Sequence, residues 1–112
     1  MQVLFLVLDK TELLTPVLKT FLDCGVRGAT VLHSTGMGRV LAAEVPIFAS
    51  LRSLVENGRH HNQTIFAVIK DEGKIEGLID ALRKVLGDLD KPGTGIIFTF
   101  PITRVIGLAG EV

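Results

Sequence analysis

The sequence predicts an α+β fold. Three observations lead there: a short apolar run bounded by charge near the start, two stretches with apolar residues at helical spacing, and further short branched runs alternating with those stretches. "QVLFLVL", residues 2–8, ends at Asp9-Lys10 and has the pattern of a strand buried on both faces. In "TELLTPVLKTFLDCG", Thr15 is a good N-cap and Pro16 suits a first helical position, where its missing N–H has no partner to lose. That predicts a helix from Pro16 to about Cys24, with Val17, Leu18, Phe21 and Leu22 facing inward and Gly25 as its cap.

A second strand is expected from Gly28 to Ser34 and a third over "TIFAVIK", residues 64–70. The second helix is the clearest element. Asp71 can cap it, Ile75, Leu78, Ile79, Leu82, Val85 and Leu86 fall at helical spacing, and Gly87 ends it. "IIFTF" at 96–100 reads as a fourth strand, after which Pro101 is expected to interrupt pairing before an edge strand or tail, "ITRVIGL". Between strands two and three lies an insertion, residues 40–63, in which Pro46 can open a helix lined by Ile47, Leu51, Leu54 and Val55. The order β-α-β, insertion, β-α-β is that of a ferredoxin-like sandwich: a four-stranded antiparallel sheet with two helices on one face, and here a helical insertion.

In such a sandwich the helices cover one face only, yet strand one puts Val3, Phe5 and Val7 on one side and Leu4, Leu6 and Leu8 on the other. An uncovered apolar face of that size predicts a homo-oligomer with the open sheet face buried between subunits.

The 112 residues predict a single domain. Twelve basic residues balance twelve acidic ones, so there is no electrostatic footprint for nucleic acid or an anionic membrane. The single cysteine, Cys24, cannot form an internal disulfide and reads as a small buried hydrophobe suited to a reducing compartment. The first apolar run is too short for a membrane span and lacks a basic lead-in, so the expectation is a cytoplasmic protein without membrane insertion.

"GVRGATVLHSTGMGR" (Gly25 to Arg39), then an insertion, a β-α unit and "KPGTGIIFTFPITRVIGL" (Lys91 to Leu108) together resemble the PII family of nitrogen-regulatory signal proteins, over nearly the whole chain. The resemblance implies a homotrimer that binds ATP or ADP, and often 2-oxoglutarate, between subunits and signals to a protein target through the insertion, which stands where that family has its T-loop. Matched by position, Thr30, Gly36, Gly38 and Arg39 fall at the base of that loop, while Gly93 and Gly95 fall in the loop around the nucleotide phosphates.

The chain also departs from the pattern. Val40 stands where the family carries a glutamine, Ile96 where it carries a phosphate-contacting lysine, and Gly107 and Ala109 where it carries two arginines; there is no Tyr at all for covalent modification. Charge-assisted hydrogen bonds contribute about 1.5–3 kcal/mol each, so three missing cations remove on the order of 5 kcal/mol of triphosphate affinity. Arg39 and Lys91 are the nearby cations that can substitute, or they are solvated surface charges. ATP, ADP and AMP therefore stay as weakened candidate ligands. Gly36-Met37-Gly38 and Gly93-Thr94-Gly95 remain open between two readings: turns needing positive φ or close backbone approach, and a cleft retuned for a less anionic ligand.

Catalysis is not expected. Ser50 and Ser53 have no local base motif, no P-loop occurs, and "GMGR" lacks the Gly-x-Gly-x-x-Gly of a dinucleotide fold. His33, His60 and His61 lack the spacing of a structural zinc site, although a site shared across a trimer axis escapes that argument. The alternatives to a PII-like sensor are thus a trimeric interaction scaffold and a metal-binding ferredoxin-like trimer of the divalent-cation-tolerance type.

Overall fold

The computed structural model describes residues 1–44 and 61–108. It is an α+β fold in which strands β1 (Gln2–Leu8), β2 (Thr30–Ser34), β3 (Asn62–Ile69) and β4 (Gly95–Pro101) form one antiparallel sheet, in the order β2-β3-β1-β4. The described α-helices are α1 (Leu14–Asp23), α2 (Met37–Glu44) and α3 (Ile75–Leu86). This architecture is compatible with a ferredoxin-like fold.

The core lies on one face of the sheet. Leu4, Leu6 and Leu8 of β1 and Ile65, Ala67 and Ile69 of β3 are buried against Val17 and Phe21 of α1 and Leu78, Leu82 and Leu86 of α3. Each such aliphatic side chain contributes about 1.5–3 kcal/mol on burial. The expected stripe of α3 is the observed one. On α1, Val17 and Phe21 are buried and Leu18 packs partly, but Leu22 is 59% exposed and Leu14 and Cys24 take part instead. The inner stripe runs through 14, 17, 21 and 24 at three- and four-residue steps, which leaves 22 off it.

Helix boundaries also shift. A 3-10 turn, Thr11–Leu13, leads into α1, so the helix starts two residues before Pro16 and Thr15 makes no side-chain cap. Pro16 still falls in the first turn, where N–H groups lack intrahelical acceptors, and its carbonyl accepts from Thr20 Oγ1 at 2.8 Å. Gly25, at φ 85°, ends α1: its N–H bonds Leu22 O at 3.0 Å and Val26 N–H bonds Phe21 O at 2.9 Å, which is the Schellman arrangement. Asp71 caps the 3-10 turn Glu72–Lys74 before α3, accepting from Gly73 N–H at 2.9 Å, and Gly87 at φ 86° ends α3. Lys10 Nζ donates to Leu86 O at 3.4 Å, joining the end of β1 to the negative end of α3.

Strand β2 starts at Thr30 and not Gly28, whereas β3 starts two residues earlier than Thr64 because Asn62 and Gln63 pair with Ser34 and His33. Pro101 does not interrupt pairing; it lies opposite Gln2 inside β4. Asp9 N–H bonds Thr94 O at 3.2 Å and Ile102 N–H bonds Met1 O at 3.3 Å, so by alternation Ile96, Phe98 and Phe100 turn their N–H and C=O groups to β1. Gly95, Ile97, Thr99 and Pro101 turn theirs to the free edge, where a residue without N–H costs no ladder bond.

The helical reading of residues 47–55 lies outside the described residues. Within the 40–63 span, residues 40–44 belong to α2, which begins nine residues before Pro46, and Asn62-Gln63 belong to β3. Among the described residues no helix is long and apolar enough to cross a membrane.

Candidate functional site

The sheet's second face carries alternate residues of every strand. Cross-strand rows Phe66, Phe5, Phe98 and Val68, Val3, Phe100 lie side by side, followed by Thr64, Val7, Ile96, with Thr30 and Leu32 of β2 extending two of them. Phe5 stacks on Phe66, Phe98 and Phe100 with ring centroids 5.2, 5.1 and 5.7 Å away. Phe98 and Phe100 are each 43% exposed, and Leu32 and Ile96 are exposed as well. No charged residue occurs in these rows. At the β2–β3 end the face turns polar: Ser34 bonds to Asn62, and its Oγ lies 2.8 Å from Thr64 Oγ1.

The residues matched to a ligand site divide among separate places. Thr30 opens β2 and is exposed; Gly36 follows the end of β2, and Gly38 and Arg39 sit in the first turn of α2. Lys91 and Gly93 precede β4 and Gly95 is its first residue, at the opposite edge of the sheet. Three strand spacings, about 14 Å, separate the two edges within one chain.

The first glycine pair is not a positive-φ turn. Neither Gly36 nor Gly38 has positive φ, and a Cβ on Gly36 would meet only Asn62 Nδ2 at 3.7 Å, an ordinary contact. Helix α2 absorbs "MGR" because its hydrogen-bonding starts with Val40 N–H to Gly36 O at 3.2 Å. Arg39 is half-buried, and its Nε, like Oε1 of Gln63, is buried with no hydrogen-bond partner among the described residues. Its side chain is thus only partly solvated. Lys91, in contrast, is exposed.

The second glycine pair has a structural cause. Gly93 has φ 83° and Gly95 φ 150°, and a Cβ at Gly95 would lie 2.6 Å from Val7 O, too close for any side chain. Thr94 between them is 2% exposed. Its hydroxyl donates to Asp88 O at 3.2 Å, Lys91 N–H donates to the same carbonyl at 3.2 Å, and Asp90 N–H donates to Asp88 Oδ1 at 2.9 Å. The loop from Asp88 to Gly95 is thereby held in one shape.

Two features escape a reading of the sequence. One is Thr94, whose only signal is a hydroxyl residue between two glycines. The other is an open cleft of about 290 Å³ between α3, this loop and the outer edge of β4, lined by Ile79, Arg83, Leu89, Asp90 and Gly95 to Ile97. Its residues come from three elements and share no local pattern.

Of the histidines, His33 lies opposite Gln63, His61 Nδ1 is 3.5 Å from Thr35 Oγ1, and His60 is outside the described residues. Among the described residues no group of three His, Cys, Asp or Glu side chains is placed to hold a metal ion. Cys24 is a free thiol, half-buried against the core. No protein-family model and no curated protein sequence matches this chain.

Proposed function

We propose that this chain is a PII-like regulatory protein of ferredoxin-like βαβ-βαβ architecture. It works in the cytoplasm as a homotrimer, takes a small ligand between subunits, and presents residues 40–63 to a protein target. The observation that carries this reading is the charge-free open face with its stacked phenylalanines, a surface suited to burial against other copies. The strand order and the antiparallel directions support the architecture. The Nε of Arg39, buried with no partner among the described residues, supports a role for that residue in holding an acceptor, since a buried donor left unpaired costs about 1–3 kcal/mol. With Val40, Ile96, Gly107 and Ala109 in place of polar or cationic groups, the ligand is a weakly anionic one, or a nucleotide held by its base and by backbone N–H groups. No catalytic step is part of the proposal.

Native mass together with a thermal-shift series over ATP, ADP, AMP and 2-oxoglutarate tests it. The expected result is an oligomer whose melting temperature rises with ligand concentration and loses that response in Arg39→Ala. A monomer at tens of micromolar would sink the proposal. A trimer indifferent to every ligand would favour the second reading, an interaction scaffold, which the purely structural demand for glycine at position 95 supports.

A further inference from the structure

The cleft between α3 and the outer edge of β4 has three kinds of wall. Ile79, Leu89 and Ile97 are half-buried and form its apolar part. Arg83, from the last turn of α3, and Asp90, from the loop before β4, also line it and are exposed. Along its β4 side run the N–H and C=O groups of Gly95 and Ile97, which face away from β1 and have no strand to pair with among the described residues.

The two charges decide what the cleft can hold. Arg83 and Asp90 line it with opposite signs, yet among the described residues neither side chain forms an ion pair or a hydrogen bond, with the other or with any third group. A molecule with one anionic and one cationic end matches such a site, whereas a singly charged one leaves one side chain without its complement. The backbone groups of β4 add neutral partners, since an ammonium has three donors and a carboxylate accepts at both oxygens.

Size and shape narrow the class further. About 290 Å³ lies just below the roughly 300–1,000 Å³ of drug-sized sites, which is room for a single amino acid and too little to enclose a nucleotide. Against Ile79, Leu89 and Ile97 an aliphatic side chain loses nothing on leaving water, while a polar one gives up its hydration without a partner. The bonds from Thr94 Oγ1 and Lys91 N–H to Asp88 O hold the loop wall in place, so little ordering is needed on binding.

We propose that this cleft binds a free α-amino acid with a branched aliphatic side chain. Arg83 takes the carboxylate, Asp90 takes the ammonium, and Ile79, Leu89 and Ile97 receive the side chain. All the lining residues come from one chain, so the site goes beyond the reading above and depends neither on assembly nor on a ligand between subunits.

Titration of the isotope-labelled full chain with L-leucine, L-isoleucine and L-valine, read from backbone amide chemical shifts, tests this. Saturable shifts centred on Leu89, Asp90, Gly95 and Ile97 are expected. Glycine, isovalerate and isobutylamine each lack one of the three matching groups, and each is expected to bind about tenfold more weakly than leucine. Arg83→Gln is expected to weaken leucine about tenfold and to leave isobutylamine, which has no carboxylate, unchanged; Asp90→Asn is expected to weaken leucine likewise and to leave isovalerate unchanged. Both side chains are exposed, so either variant should keep its circular dichroism, and the comparison among the small molecules on the wild type holds without them. Three outcomes overturn the inference: no saturable shift with any of the three amino acids, shifts that fall on Phe98 and Phe100 of the open face, or equal binding of leucine and isovalerate. None of them bears on native mass or on the response to ATP, ADP, AMP and 2-oxoglutarate, which test the oligomeric reading separately.

Discussion

One sheet has two faces of nearly equal apolarity and unequal fate. Leu4, Leu6 and Leu8 are sealed under α1 and α3, whereas Phe5 and Val7, on the same strand, are half-buried on the face that α1 and α3 leave open. The helix-covered face is a finished core whose residues specify the fold of one chain. Among the described residues the other face has comparable chemistry without a helix over it, so less of its apolar surface is buried by the fold of one chain. Hydrophobic pattern alone does not separate these two roles.

Substitutions should separate them in order of effect. Leu82→Ala removes a fully buried side chain from α3 and is expected to destabilise the monomer fold by about 2–5 kcal/mol, read from urea unfolding, before any change in assembly is considered. A loss well under 1 kcal/mol would mean that the covered face is not the core. Gly95→Ala forces a Cβ against Val7 O and is expected to cost about 1–3 kcal/mol, while Gly93→Ala meets only its φ and costs less. Equal effects at the two positions would show that the β1–β4 register differs from the one described.

Phe98→Glu reverses the emphasis. Its side chain lies on the open face, so the expected change in monomer stability is within about 1 kcal/mol, while the oligomer mass is lost in light scattering. Unfolding in place of dissociation would make the open face part of the folding core and erase the comparison.

The smallest effect belongs to Glu72, just before α3. The hydrogen bond from the Met1 amine, then that from the Gln2 amide, hold its carboxyl below the usual glutamate range. A depressed folded-state value gives stability that is present above the ordinary glutamate pKa and lost as pH falls through the folded one. Melting temperatures of wild type and Glu72→Gln should therefore differ slightly near neutrality and converge on acidification. Because the pair is exposed, a difference that widens in acid would assign the effect to another group.

Much of the fold was legible in the residues. β1 and α3 are long enough, and periodic enough, that local pattern and tertiary burial coincide. Where the reading slipped, backbone bonding outweighed composition. Asn62 and Gln63 are polar yet extend β3 because β2 offers a ladder, and Pro101 stays in β4 because its missing N–H faces away from β1, where no strand pairs among the described residues. The glycines of "GMGR" resembled a loop but lie at the start of α2, since glycine permits a positive φ without requiring it. The candidate site was less legible: its residues were chosen by position in a pattern, and the sheet order sends them to opposite edges.

By itself the sequence determined the class of fold, the periodicity of α3, and the existence of more apolar strand surface than two helices can cover. Those properties depend on residue type and on spacing along the chain. Only the tertiary structure decided which strand face stays open, which residues of β4 turn their backbone groups outward, and why position 95 is glycine. Each of these depends on strand order and register, set by contacts between residues far apart in the chain, and no local pattern encodes them.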